Sequence, residues 1–183
     1  MRERLRIVIA DDESTRNMSL KAQLHKLGHE VVGEATNGRE ALELTRKLQP
    51  DLVIMDIRMP EMDGIEAAKA ITAERPLPII LVTAFSEKAL AERAVGAGIF
   101  AYLMKPVTEE DLLPAILLAT SRYEEFQVLR KEVDDLKEAL ETRKLVEQAK
   151  GILMERRQLT EAEAFHRMQR QSQTENKKLV EIA

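Results

Sequence analysis

The chain has 183 residues, 44% of them hydrophobic and 33% charged, which suits one ordinary domain plus a smaller module with a well-solvated surface. It has no cysteine, excluding a disulfide framework and a thiolate metal site, and no apolar run approaches the roughly 20 residues of a membrane span. The net charge of −4 is uneven: residues 142–183 carry 9 Lys and Arg against 6 Asp and Glu, a modest positive excess that suits a nucleic-acid partner.

The opening MRERLRIVIA is basic, but its apolar run meets Asp11 too soon for a signal peptide, so a cytoplasmic protein is expected. LRIVIA (5–10) reads as a strand, followed by a helical pattern through Met18, Leu20, Leu24 and Leu27 that closes at Gly28. EVVGEA (30–35) precedes a helix from about Asn37 to Leu48, and DLVIMD (51–56) precedes one near Gly64–Ala73. PIILVTA (78–84) leads to a helix near Glu87–Val95, and FAYLMK (100–105) to a last helix. Five βα units with nearly continuous apolar strands predict an α/β fold, a five-stranded parallel doubly wound sheet of flavodoxin-like order. All six prolines and six of the seven glycines lie at or before Pro114, so the remainder reads as helix. The expected division is a domain over 1–120, a coiled-coil helix over 121–141 and a three-helix bundle over 142–183.

In such a sheet, chemistry collects outside the carboxyl ends of the strands. The first strand ends in Asp11-Asp12-Glu13, the third in Asp56, the fourth in Thr83-Ala84 and the fifth in Lys105-Pro106. Carboxylates gathered together repel unless a cation joins them, and hard oxygen donors favour Mg²⁺. Asp56 can then act as an anionic nucleophile toward phosphorus, with Lys105 and the Thr83 hydroxyl meeting the phosphoryl oxygens. Ala84 leaves room for that group. Arg58 and Phe85, long or bulky, would hinder an in-line water and predict slow self-dephosphorylation.

The order Asp11-Asp12, then Asp56-Ile-Arg-Met-Pro-Glu-Met-Asp-Gly64, then Thr83 and Lys105-Pro106 resembles the receiver domain of two-component response regulators. The resemblance implies Asp56 as phosphoacceptor for a sensor histidine kinase. It also implies Asp12, Asp56 and the Arg58 backbone carbonyl as Mg²⁺ ligands, with Asp11 acting through water. A cis peptide before Pro106 and a switch pair, Thr83 and Tyr102, are implied as well. A haloacid-type phosphatase is disfavoured, because Arg58 stands where such enzymes carry a second acidic residue.

Beyond Thr120, Phe126, Leu129, Val133, Leu136 and Leu140 alternate in steps of three and four, the a and d positions of heptads. Glu125 with Arg130 and Glu132 with Lys137 are then attractive pairs between parallel chains, predicting a homodimer; the alternative is an apolar stripe packed on the chain's own N-terminal domain. Arg143 would take the next d position and end the seam. Gly151 interrupts the following helix, and glycine there usually admits another backbone. Thr160 with Glu163 reads as a capping box for a second helix, and a third is expected from about Asn176.

No helix pair with a glycine turn and a polar recognition helix can be drawn in this segment, which argues against a helix-turn-helix DNA reader. RKLVEQAKGILM (143–154), TEAEAF (160–165), Ser172, Asn176 and the closing Leu179 to Ala183 instead resemble the ANTAR domain, an RNA-binding antitermination module. Gln169, where the family often carries arginine, and the end at Ala183, where its last helix often continues, are departures. The resemblance implies a dimer binding paired stem-loops in nascent transcripts. Lys150, Arg156, Arg157, Arg167, Arg170, Lys177 and Lys178 are the candidate RNA contacts, Lys150 foremost. The alternative is a response regulator whose C-terminal helices bind DNA or a protein partner.

Overall fold

The computed structural model describes residues 4–84 and 98–182. Phe85 and the helix expected near Glu87–Val95 lie outside them. The chain divides into two compact units, Met1–Phe126 and Gln127–Ala183.

The first unit holds a five-stranded parallel sheet: β1 (Arg6–Ala10), β2 (Glu30–Ala35), β3 (Leu52–Asp56), β4 (Ile79–Thr83) and β5 (Ile99–Met104), in the order β2-β1-β3-β4-β5. This is the flavodoxin-like order expected. The helices are α1 (Ser14–Lys26), α2 (Gly38–Leu48), α3 (Gly64–Glu74) and α4 (Glu109–Arg157). Strand alternation sends Val8, Val53, Met55, Ile79 and Leu81 to one face, against Ala41 and Leu42 of α2 and Ile65, Ala68 and Ile71 of α3. Ile7, Ile9, Ile54, Ile80 and Val82 face the other way, onto Leu24 of α1 and Leu112, Ala115, Ile116 and Ala119 of α4. Both faces of β3 are buried, which is why LVIMD is apolar up to its last residue. The stripe on α1 is narrower than the periodicity suggests: Leu24 is buried, whereas Met18 is exposed.

The helix expected after the fifth strand and the helix expected beyond Thr120 are a single element, α4. Pro114 lies inside its second turn. The Tyr123 hydroxyl donates to the Pro76 carbonyl at 2.6 Å, and the Phe100 ring meets Tyr123 and Phe126 edge-on at 5.8 and 6.2 Å. Phe126, assigned to the dimer seam, therefore packs in part on β5 of its own unit. Leu129, Val133, Leu136 and Leu140 are exposed.

The second unit contains the C-terminal part of α4, then α5 (Glu161–Glu175) and α6 (Leu179–Ile182). Its core is small: Ala149, Ala164 and Met168 are buried. The capping box is present, with the Glu163 amide donating to Thr160 and the Thr160 amide donating to Glu163 Oε2 at 2.8 Å. The third helix does not start at Asn176. Asn176 takes a left-handed conformation (φ 50°) and terminates α5, so α6 begins only at Leu179. The Ser172 hydroxyl donates to the Lys177 carbonyl at 2.6 Å across that turn.

Candidate phosphoacceptor site

The strand ends bring the acidic residues together as their order in the sequence requires. One carboxylate oxygen from each of Asp11, Asp12 and Asp56 lies within 4.8 Å of the others, with Asp11 and Asp56 buried and Asp12 exposed. Lys105 spans the group: its Nζ lies 2.8 Å from Asp11 Oδ2 and 2.7 Å from Asp56 Oδ2. The root of this lysine is fixed by its backbone amide, which donates to the Thr83 carbonyl at 2.8 Å; the bond to Pro106 is cis. The Ile57 amide likewise donates to the Val82 carbonyl at 3.0 Å, which extends the β3–β4 ladder past Asp56.

The next segment turns under steric constraint. A Cβ on Gly64 would lie 2.1 Å from the Asp56 carbonyl oxygen, so only glycine lets α3 begin against the end of β3. Asp63 caps that helix by accepting from the Glu66 amide at 2.8 Å. The carboxylates of the D-x-x-M-P-x-M-D-G run thus have different tasks: Asp56 faces the pocket, and Asp63 holds the helix.

Two residues of α1 that the sequence pattern did not single out complete the site. Asn17 is buried, and its side-chain amide donates to the Asp11 carbonyl at 2.9 Å and the Ala35 carbonyl at 3.0 Å, tying the ends of β1 and β2 to α1. Arg16 directs its guanidinium at Asp11 and Glu13. Their signal was available: a buried-face polar residue one turn after an acidic pair needs a partner, and here the partner is the strand end itself. A cavity of about 410 Å³ opens beside the pocket, bordered by Asp11, Arg16, Gln23, Lys105 and Val107.

Thr83 and Tyr102 lie on adjacent strands, in register positions that point to the same sheet face: Leu81 pairs with Tyr102 and Thr83 with Met104. Tyr102 is 44% exposed, and burial of the remainder pushes its phenol pKa up. Arg58 is exposed at the rim. The donor set is all oxygen, with two carboxylates buried and one open to solvent. That is the chemistry a hard divalent ion such as Mg²⁺ takes, so the residues fit the ion that the receiver resemblance implies.

In the second unit the candidate RNA contacts separate into two kinds. Arg156, Arg157, Arg167, Arg170, Lys177 and Lys178 are exposed, and Arg167 and Arg170 border a shallow hollow on α5 together with His166 and Thr174. Lys177 is paired with Glu175 at 2.8 Å. Lys150 is different. It is 7% exposed, its ammonium lies 2.9 Å from Glu147 and 2.7 Å from Glu161, and it sits 6.0 Å over the Phe165 ring. The two carboxylates hold its pKa above the ordinary value. Its position makes it an internal tie within this unit, whereas the other six candidates stand exposed.

Gly151 faces open space: among the described residues, a Cβ there would meet no atom from outside its own stretch of helix within 4 Å.

Comparison with known proteins agrees with both units. The response regulator receiver domain matches residues 7–117, and the ANTAR domain matches residues 134–183. The transcriptional regulatory protein PdtaR of Mycobacterium tuberculosis is 52% identical over 165 residues, covering 90% of this chain and 80% of that protein. The chemotaxis protein CheY of Thermotoga maritima is 43% identical over 112 residues, 61% of this chain and 93% of its own. Among solved structures, the receiver domain of the response regulator NarL from M. tuberculosis superposes with a TM-score of 0.60 at 35% identity, over 63% of this chain and 95% of that one. The chain is a member of the response regulators, with a receiver domain followed by an ANTAR domain.

Proposed function

We propose that a sensor histidine kinase phosphorylates this regulator on Asp56, and that it then acts as an RNA-binding transcription antiterminator in the form of a parallel dimer. The observation that carries the phosphoacceptor role is the Lys105 ammonium bridging Asp11 and Asp56 at the mouth of a pocket with three convergent carboxylates. Asp11, Asp12, Asp56 and the Arg58 carbonyl are the groups that would hold Mg²⁺, which when bound offsets charge on the phosphoryl oxygens. An Asp56 carboxylate oxygen attacks phosphorus as the P–N bond of the kinase's phosphohistidine breaks, its electron pair returning to the imidazole. Lys105 then transfers its pairing from the Asp56 carboxylate to a phosphoryl oxygen, and Thr83 at the end of β4 donates to another.

RNA as the output ligand is supported by the ANTAR match and by the exposed arginines of α5, Arg167 and Arg170, which share one hollow. The dimer is supported by the exposure of Leu129, Val133, Leu136 and Leu140, because an apolar heptad stripe bare along a helix is stable only against a partner. In that register the Glu125–Arg130 and Glu132–Lys137 pairs favour parallel copies.

The test is binding of the purified chain to a tandem stem-loop RNA and to duplex DNA. Both are measured with and without a phosphoryl donor and Mg²⁺, across a salt series. RNA-selective binding, strengthened by the donor and lost in the Arg167→Ala, Arg170→Ala double variant, is the expected result. Equal or absent binding to both nucleic acids would return the C-terminal helices to docking a protein.

A further inference from the structure

Arg16 enters the acidic pocket from α1. Its Nη1 lies 3.3 Å from Asp11 Oδ1 and 3.9 Å from Asp56 Oδ2, and its Nη2 is paired with Glu13. The arginine side chain is 43% exposed, whereas those of Asp11 and Asp56 are 9% and 6% exposed, so the cation reaches inward from the rim. Asp11 Oδ1 also accepts from the Glu13 amide at 2.9 Å, and Asp11 Oδ2 accepts from Lys105 at 2.8 Å. Both oxygens of a candidate metal-site carboxylate are therefore engaged by the chain's own donors.

We propose that Arg16 is a resident cation of this pocket, which a divalent ion must displace from Asp11, so that Arg16 sets how tightly the protein holds Mg²⁺. The proposal rests on the divalent-metal reading of the carboxylates and adds to it a competitor within the chain.

The charges at the pocket carry the argument. Asp11, Asp12, Glu13 and Asp56 face Lys105 and Arg16, and a divalent ion brings this set to neutrality with both cations in place. Removing Arg16 leaves one more uncompensated negative charge, and an added opposite charge within a few ångströms is then held more strongly. Guanidinium does not lose its proton at any physiological pH, so the competition is relieved only by movement of the side chain.

The two resident cations differ in their freedom to move. Lys105 is mostly buried, at 15% exposure, and its backbone is bonded into the sheet end, so it stays. Arg16 stands on an exposed face of α1 and has Glu13 at the rim to keep its other nitrogen. It can yield Asp11 without leaving the site's edge. Glu13 is thus a positioning residue that keeps the competitor close.

The experiment uses the full chain without a phosphoryl donor and Mn²⁺ as probe, with free ion read by electron paramagnetic resonance and Mg²⁺ binding by calorimetry. Arg16→Ala and Arg16→Gln are compared with wild type at one ionic strength, after cooperative thermal unfolding shows each is folded. Removal of one neighbouring cation is expected to tighten Mn²⁺ and Mg²⁺ binding about three- to tenfold in both variants. Arg16→Lys, which keeps the charge, is expected to stay within about twofold of wild type. Variants that bind no tighter than wild type, or more weakly, would overturn the proposal while leaving the metal site in place. A wild-type chain that binds neither ion, or whose binding survives Asp12→Asn and Asp56→Asn, would remove the metal reading and this proposal with it.

Discussion

Lys150 Nζ lies 2.7 Å from Glu161 Oε1 and thereby joins α4 to the first turn of α5 within a unit whose buried apolar core is only a few side chains. In so small a core, a tie of this kind adds to the packing that holds the helices together. Lys150→Ala is expected to lower the melting temperature of the C-terminal unit and to weaken RNA binding in parallel. A variant that melts like wild type and yet no longer binds RNA would make Lys150 a direct contact.

The same tie gives a pH dependence whose sign follows from its partners. Lys150 and Glu147 are hydrogen-bonded and paired, as are Lys150 and Glu161; this raises the lysine's pKa above its ordinary 10.5 and lowers that of Glu161 below 4.5. The lysine's contribution is fully present below pH 10.5 and is lost as pH rises through its higher folded value. The contribution of Glu161 is present above pH 4.5 and is lost as pH falls through its lower folded value. Thermal unfolding followed by circular dichroism should therefore show a plateau between these limits. Glu161→Gln should reduce the acid-side loss, to which Glu163 and Glu175, also held below the ordinary carboxylate value, contribute the rest, and an unchanged acid limb would refute the role of Glu161.

The glycines of the two units are expected to respond oppositely to alanine. Gly64→Ala drives a methyl into the Asp56 carbonyl and should destabilise the receiver by about 1–3 kcal/mol, with loss of phosphorylation by a small-molecule donor. Gly151→Ala meets no described residue outside its own stretch of helix and should stabilise the helix by about 1 kcal/mol. Chemical denaturation measures both. A destabilised Gly151→Ala protein would mean that a second molecule packs there.

Leu136 is 71% exposed at the centre of the heptad stripe. Under the proposed dimer, Leu136→Lys should shift the protein to monomer in sedimentation equilibrium, since losing a buried leucine in a seam costs about 2–5 kcal/mol. An unaltered mass distribution, or a wild-type chain that is already monomeric, would overturn the proposed seam.

Tyr123→Phe removes only the hydroxyl that donates to the Pro76 carbonyl. The expected cost is about 1 kcal/mol of receiver stability, read from the denaturation midpoint, with the edge-on contact to Phe100 retained. No change in midpoint would show that the bond is matched by water.

The sheet and its acidic rim were legible because each depends on a repeated pattern. Apolar runs such as LVIMD mark strands buried on both faces, and parallel strands put their carboxyl ends on one rim, so Asp11, Asp56 and Lys105 had to meet. What was not legible depends on single side chains. Arg16 and Asn17 follow one another on α1, yet one turns to the rim and the other inward to two carbonyls, a difference set by helix phase against the sheet. Lys150 looked like its neighbours because charge alone does not reveal that two carboxylates, three residues before and eleven after it, converge on it. The start of the third helix was misplaced because Asn176 is as good a left-handed terminator as it is a cap, and the turn uses it to stop α5.

Lys105 is held at both ends, by the Thr83 carbonyl at its backbone and by two carboxylates at its tip. Chemistry at Asp56 can alter only the second attachment. The residue therefore works as a pivot with a stationary base: its tip can be re-aimed by a new anion while the end of β5 keeps its place. Under the proposed phosphorylation at Asp56, the strands would serve as the fixed bed against which side chains above the sheet move.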